Sequence, residues 1–264
     1  MDYLLEQVDQ SENVGTPLSS HPWAAFAVQA RGAVTECNPI RNTQVMKRPR
    51  IVAVCGFSSD VGKTTLMCAL LRACQGWEAI KITRGHYRSC GKDPHYCCVS
   101  HLLTDEAIVY TGHSETYTAG KDTGKYWDAG ASNVHWVIAK SDQVEQGVSK
   151  ALTRVTAPGV FIEGTSFLDF VPADCVIMVS RASGGTIKSS ARRALRHAKA
   201  IYLSQAAGDN DAREKFANWV AQTGLDHNLI SSLPIYTEAD LENLIALARG
   251  QVAVAATAET AECL

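Results

Sequence analysis

Gly56, Gly62, Lys63 and Thr64 have the types and spacing that most directly imply chemistry, within the stretch IVAVCGFSSDVGKTTL from Ile51 to Leu66. An apolar, β-branched run stops at Gly56, a short polar loop follows, and a helix begins at Gly62-Lys63-Thr64-Thr65. That is the strand-loop-helix setting of a phosphate-binding loop. Loop N–H groups and the positive end of the helix would surround a polyphosphate, Lys63 would reach its β and γ oxygens, and Thr64 would hold Mg²⁺. The expected nucleotide contacts are Gly56, Ser58, Ser59, Asp60, Val61, Gly62, Lys63, Thr64 and Thr65. The two glycines are one residue further apart than usual, so Phe57 stands where the first glycine is expected.

Two further groups could take part. Val160-Phe161-Ile162-Glu163-Gly164 reads as an apolar strand that delivers a carboxylate at its carboxyl end. In a parallel sheet that end lies beside the phosphate loop, so Glu163 is a candidate for holding Mg²⁺ or orienting the attacking group. Cys90, His95, Cys97 and Cys98 form a candidate Zn²⁺ set, with His86 and His101 flanking them. Adjacent Cys97 and Cys98 point apart on most backbones, and the alternative is a cysteine-rich substrate lid without metal. Arg84, His86, Arg88 and Lys92 make this segment cationic, which suits a lid over phosphates or an anionic substrate.

The segment Gly56-Phe57-Ser58-Ser59-Asp60-Val61-Gly62-Lys63-Thr64 resembles the phosphate loop of dethiobiotin synthetase and its relatives. The order Gly-Lys-Thr-Thr-Leu, Ile80-Lys81, Gly120-Lys121-Asp122-Thr123 with Ala129-Gly130-Ala131, and Ile162-Glu163-Gly164 resembles the MobB family, over about Ile51 to Arg181. MobB proteins are GTP-binding accessories of molybdenum-cofactor guanine-dinucleotide synthesis. The resemblance implies that Lys81 and Lys121 face nucleotide phosphates or a second anionic ligand, and that Asp122 positions metal or water. Cations there also suit phosphoryl chemistry, which rests on positioning and on neutralising charge. The chain departs from the family in the enlarged segment Tyr87 to Ser100. It also has Ser204-Gln205-Ala206-Ala207 where a guanine-reading Asn-Lys-x-Asp would fall, which leaves ATP and GTP both open.

The elements that must position these residues follow from periodicity. Strands are expected at Ile51–Cys55, Glu78–Thr83, Val134–Ala139, Val160–Ile162, Cys175–Val179 and Ala200–Leu203. Helices are expected from Gly62 to about Cys74, over Asp142–Thr153, Ile187–Lys199 and Asp211–Gln222, and from a Thr237/Asp240 capping box through Ala248. The alternation predicts a three-layer α/β/α P-loop NTPase domain with a mostly parallel sheet. Its expected span is residues 49–250, with an insertion at 84–101, an N-terminal extension at 1–48 and a flexible tail at 251–264. Arg181, after a buried strand, is placed to reach a ligand. Lys188, Arg192, Arg193, Arg196 and Lys199 read as a solvated helix face.

Composition bounds the rest. A net charge of -2 argues against binding nucleic acid through bulk electrostatics. No run approaches the ~18 apolar residues of a membrane span. The start of the chain, acidic at Asp2, Glu6 and Asp9, lacks the basic and apolar parts of a secretion signal, and a cytoplasmic location is expected. Nine cysteines, several within expected core elements, suit reduced thiols. The expected partners are a nucleoside triphosphate and either an anionic small-molecule substrate or a cofactor-assembly protein, and a homodimer is compatible with the chain. The functions in view are a small-molecule kinase or ligase, and a nucleotide-switched accessory protein for cofactor or metal delivery.

Overall fold

The computed structural model describes residues 48–85 and 99–251. In chain order the strands are β1 (Arg50–Gly56), β2 (Glu78–Arg84), β3 (Ile108–Thr111), β4 (Val134–Ala139), β5 (Gly159–Glu163), β6 (Cys175–Arg181), β7 (Ala200–Ser204) and β8 (Ile235–Tyr236). The helices are α1 (Lys63–Ala73), α2 (His113–Thr116), α3 (Asp122–Asp128), α4 (Val144–Leu152), α5 (Ser189–Ala194), α6 (Ala212–Ala221), α7 (His227–Ser231) and α8 (Leu241–Arg249). They build one eight-stranded sheet in the order β3-β4-β2-β5-β1-β6-β7-β8, parallel throughout except where β3 runs against β4.

Both faces of the sheet are covered, which is why its central strands read as continuous apolar runs. Successive side chains alternate between faces. Ile51, Ala53 and Cys55 of β1 pack with Val144 and Val148 of α4, Ala191 of α5 and Phe216 of α6. Val52 and Val54 pack on the other face with Leu66 and Leu70 of α1, Tyr126 of α3 and Leu244 of α8. The result is the three-layer α/β/α architecture of P-loop NTPases. The expected Thr237/Asp240 capping box is present, with the Thr237 N–H 3.0 Å from Asp240 Oδ2. Among the described residues no helix is long and apolar enough to cross a membrane.

Three expectations need correction or extension. The helix expected over Ile187–Lys199 is only α5, followed by a 3₁₀ turn at Leu195–His197. Its basic stripe is exposed, as expected, and two of its residues are tied at the surface: Arg193 pairs with Asp169 at 3.0 Å, and Arg192 donates to the Thr223 carbonyl at 3.0 Å. The apolar segment Ala107–Tyr110 contributes the antiparallel edge strand β3, which the strict β-α-β alternation did not foresee. Its backbone is partly sealed against further pairing, since Arg154 donates to the Val109 carbonyl at 2.9 Å and the Thr111 N–H donates to Glu115 at 2.8 Å.

At the amino end of the sheet, opposite the phosphate loop, Glu78 and His135 are 1% and 0% exposed and meet at 2.7 Å. Glu78 also accepts from the Thr156 and Ala157 N–H groups at 2.9 and 3.0 Å, which fixes the chain just before β5. Burial on its own would raise this carboxyl, but the bonds from His135 and Thr156 hold it below the ordinary range. This network anchors the layer that carries Glu163 at its far end.

Candidate phosphate-loop site

The parallel strands deliver their carboxyl ends, among them Gly56, Arg84, Glu163, Arg181 and Ser204, to one edge of the sheet, where α/β folds bind ligands. After Gly56 the backbone turns through two left-handed positions, Asp60 at φ 54° and Gly62 at φ 86°. Gly62 sits at the N-terminus of α1 without a side-chain cap, and its carbonyl accepts the first helical bond from Leu66 at 3.0 Å. A side chain at Gly62 would put its Cβ 2.9 Å from Ser204 Cβ, so both backbone angle and space require glycine.

The loop's carbonyls are tied outward. Phe57 O accepts from the Lys188 N–H at 3.0 Å, Asp60 O from the Arg181 guanidinium at 2.6 Å, and Val61 O from the Ser204 hydroxyl at 2.7 Å. In a trans peptide the next N–H points the opposite way, so the amides of Ser58, Val61 and Gly62 face away from these restraints. Arg181 therefore braces the loop, a different task from the ligand contact expected of it. Phe57 replaces the expected glycine because its ring leaves the loop for the core, 5.7 Å from Trp219 and 6.2 Å from Phe216. The loop can thus be one residue longer without crowding the cradle.

Beside Lys63, five polar side chains from four elements converge. Thr64 Oγ1 at the start of α1 lies 3.1 Å from Asp122 Oδ1 of α3 and 3.1 Å from Glu163 Oε2 of β5. Lys81, mid-strand in β2, places its ammonium 2.6 Å from Asp122 Oδ2 and 2.7 Å from Glu163 Oε1. Tyr126, fully buried on α3, donates its hydroxyl to Glu163 Oε2. Burial opposes charge on Lys81 and on Asp122, but the Glu163 carboxylate and the bond to Asp122 raise the first, and the bonds from Lys81 and Thr64 lower the second. Burial, then the Glu163 charge, pushes the Tyr126 hydroxyl well above its usual range and keeps it a donor. Lys188 is shifted down by burial and by the charges of Lys63 and Arg84, which marks a cationic rim beside the loop.

Thus Lys63, Thr64, Lys81, Asp122 and Glu163 are brought to one edge. Lys121 is exposed at the start of α3 and its ammonium has no bond among the described residues. Cys90, His95, Cys97 and Cys98 lie outside the described residues, and among those described no cluster of His, Cys, Asp and Glu could hold a metal through three such side chains. Two carboxylates and a hydroxyl are instead a hard-oxygen donor set, which fits Mg²⁺ completed by phosphate and water. Sequence reasoning missed Tyr126, although its place one turn after Asp122 puts both on one face of α3. Ser204, noted only as standing where a guanine-reading motif would fall, was not expected to brace the loop. Cys55, under the loop, donates to the Gly164 carbonyl at 3.2 Å, and burial pushes its thiol up to about 12, so it is no nucleophile.

Sheet order, helices on both faces and the Gly62-Lys63-Thr64 cradle define the class: a P-loop NTPase fold. No protein-family model and no curated protein matches the chain. Among solved structures it is similar to HypB from Helicobacter pylori in complex with nickel, at 13% identity and TM-score 0.44, over 77% of this chain and 87% of that one. It is also similar to the Zn(II)-bound YjiA GTPase from E. coli, at 16% identity and TM-score 0.38, over 73% of this chain and 58% of that one. A third is LpxK from Aquifex aeolicus in complex with ATP, at 17% identity and TM-score 0.36, over 61% of this chain and 50% of that one. The chain therefore spans only about half the length of YjiA and LpxK.

Proposed function

We propose that this chain binds a Mg²⁺–nucleoside triphosphate at Gly62-Lys63-Thr64 and cleaves or transfers its γ-phosphoryl group to a small anionic acceptor, as a kinase or ligase in cofactor metabolism. The observation that carries the proposal is the cluster beside the loop in which Thr64 and Lys81 each meet both Asp122 and Glu163, at 2.6 to 3.1 Å. Thr64, Asp122 and Glu163 would hold Mg²⁺, which when bound neutralises charge on the β- and γ-phosphates. Lys63 contacts the same phosphates, Glu163 orients the attacking oxygen, and Lys121, Arg84 and Lys188 line the acceptor side with positive charge.

The second reading, a MobB-like GTP-binding accessory protein for cofactor or metal delivery, is favoured by the motif order from Gly62 through Lys121-Asp122 to Glu163-Gly164. Release of labelled γ-phosphate from ATP and GTP, with and without Glu163→Gln, tests the proposal. Turnover that falls by about a hundredfold or more in the variant supports catalysis at this site. Nucleotide binding with no turnover in the wild type supports the accessory role. Turnover that survives the substitution refutes the role given to Glu163.

A further inference from the structure

Glu163 is 3% exposed and Asp122 half-buried, and together they bring two negative charges against one Lys81 ammonium whose side chain is 18% exposed. The ammonium engages one oxygen of each carboxylate, Asp122 Oδ2 and Glu163 Oε1. The remaining oxygens, Asp122 Oδ1 and Glu163 Oε2, both lie 3.1 Å from Thr64 Oγ1. A threonine hydroxyl has one proton and can donate to only one of them at a time. Glu163 Oε2 also accepts from the Tyr126 hydroxyl, which leaves Thr64 to donate to Asp122 Oδ1, yet two carboxylates against one ammonium still give the cluster a net negative charge beside Thr64. The pair is preorganised for a cation, yet a cation already sits on its other two oxygens.

We infer that Lys81 is a placeholder cation: it holds Asp122 and Glu163 in register without metal, and a divalent ion loads only when Lys81 moves onto an anion. This rests on the reading that Thr64, Asp122 and Glu163 bind Mg²⁺. A divalent ion bound by these carboxylates would lie within a few ångströms of the ammonium, where like charges repel strongly in a partly buried site. Bound triphosphate supplies the alternative partner, because the two carboxylates that Lys81 holds also meet Thr64, the residue next to Lys63. Nucleotide and metal must then promote each other's binding by the same factor, since a coupling between two sites is reciprocal. Without nucleotide, Lys81 keeps the metal affinity low.

The test uses the full chain and Mn²⁺, a paramagnetic substitute for Mg²⁺, titrated by electron paramagnetic resonance with and without a non-hydrolysable ATP or GTP analogue. Wild type should bind Mn²⁺ about tenfold or more tightly with nucleotide than without. Lys81→Met should bind Mn²⁺ about tenfold or more tightly than wild type without nucleotide, and its nucleotide-dependent gain should collapse. Lys81→Gln, which keeps a donor between the carboxylates while removing the charge, provides a second variant should Lys81→Met fail to fold. Lys125→Met is the control, since Lys125 acts on Asp122 only through its charge at longer range and should change the affinity by no more than about twofold.

The inference is overturned if folded Lys81 variants bind Mn²⁺ no better than wild type without nucleotide, or if Lys125→Met gives the same gain. Should the wild type with nucleotide take up no Mn²⁺ at all, the Mg²⁺ reading falls and the placeholder falls with it. Nucleotide-dependent Mn²⁺ uptake that is unaltered by Lys81 variants sinks the placeholder alone.

Discussion

Tyr126→Phe isolates one bond in the site. The ring is 0% exposed and its hydroxyl donates to Glu163, itself 3% exposed, so phenylalanine keeps the packing and removes only the donor. Glu163 retains Lys81 at 2.7 Å and Thr64 at 3.1 Å, so the variant does not strand a bare charge. The loss is that of one hydrogen bond to a charged acceptor, about 1.5–3 kcal/mol. At about 2–4 °C per kcal/mol for a domain of this size, thermal unfolding by calorimetry should occur about 3–12 °C lower. In a Glu163→Gln background the same substitution should cost less, because the two residues share one network. A midpoint equal to or above that of the wild type, or strict additivity with Glu163→Gln, would refute the bond and the role given to Tyr126 in holding Glu163.

Other expectations follow from the same geometry. The folded-state pKa of Glu78 is depressed, so its contribution to stability is present at neutral pH and is lost as the pH falls through that lowered value. Glu78→Gln should cost about 1.5–3 kcal/mol at neutral pH, with a gap to wild type that closes on acidification in chemical denaturation series. A gap independent of pH would show that Glu78 is not held ionised. Gly62→Ala meets both a left-handed backbone at φ 86° and a Cβ position 2.9 Å from Ser204, so it should cost about 1–2 kcal/mol or more and weaken nucleotide binding in calorimetry. Cys55 and Cys175, with thiols pushed by burial to about 12 and about 11, should resist thiol reagents at neutral pH until the protein unfolds. Mass spectrometry of the labelled native protein checks this.

What could be read from the chain was what lies close together along it. The phosphate loop is contiguous, so Gly62, Lys63 and Thr64 announce themselves. Glu163 is legible because a short buried strand has only one carboxyl end. Lys81 and Asp122 came from a resemblance of motif order, and that they meet across 41 residues of sequence is a property of the fold. Tyr126 gave no motif because an interior tyrosine on a short helix looks like core, and it is core as well as donor. The helix expected over Ile187–Lys199 begins only at Ser189 and tightens after Ala194 into a 3₁₀ turn before β7 starts at Ala200, boundaries that periodicity does not mark. Strand β8 has two residues and no period to detect.

The central claim is that Gly62-Lys63-Thr64 binds a nucleoside triphosphate. Calorimetric titration of ATP and of GTP with Mg²⁺ into wild type and Lys63→Ala tests it most directly. One of the two nucleotides should bind the wild type and lose about a hundredfold or more in affinity in the variant, which also identifies the base. Absence of binding by either nucleotide to the wild type at millimolar concentration, or equal binding to the variant, would contradict the account.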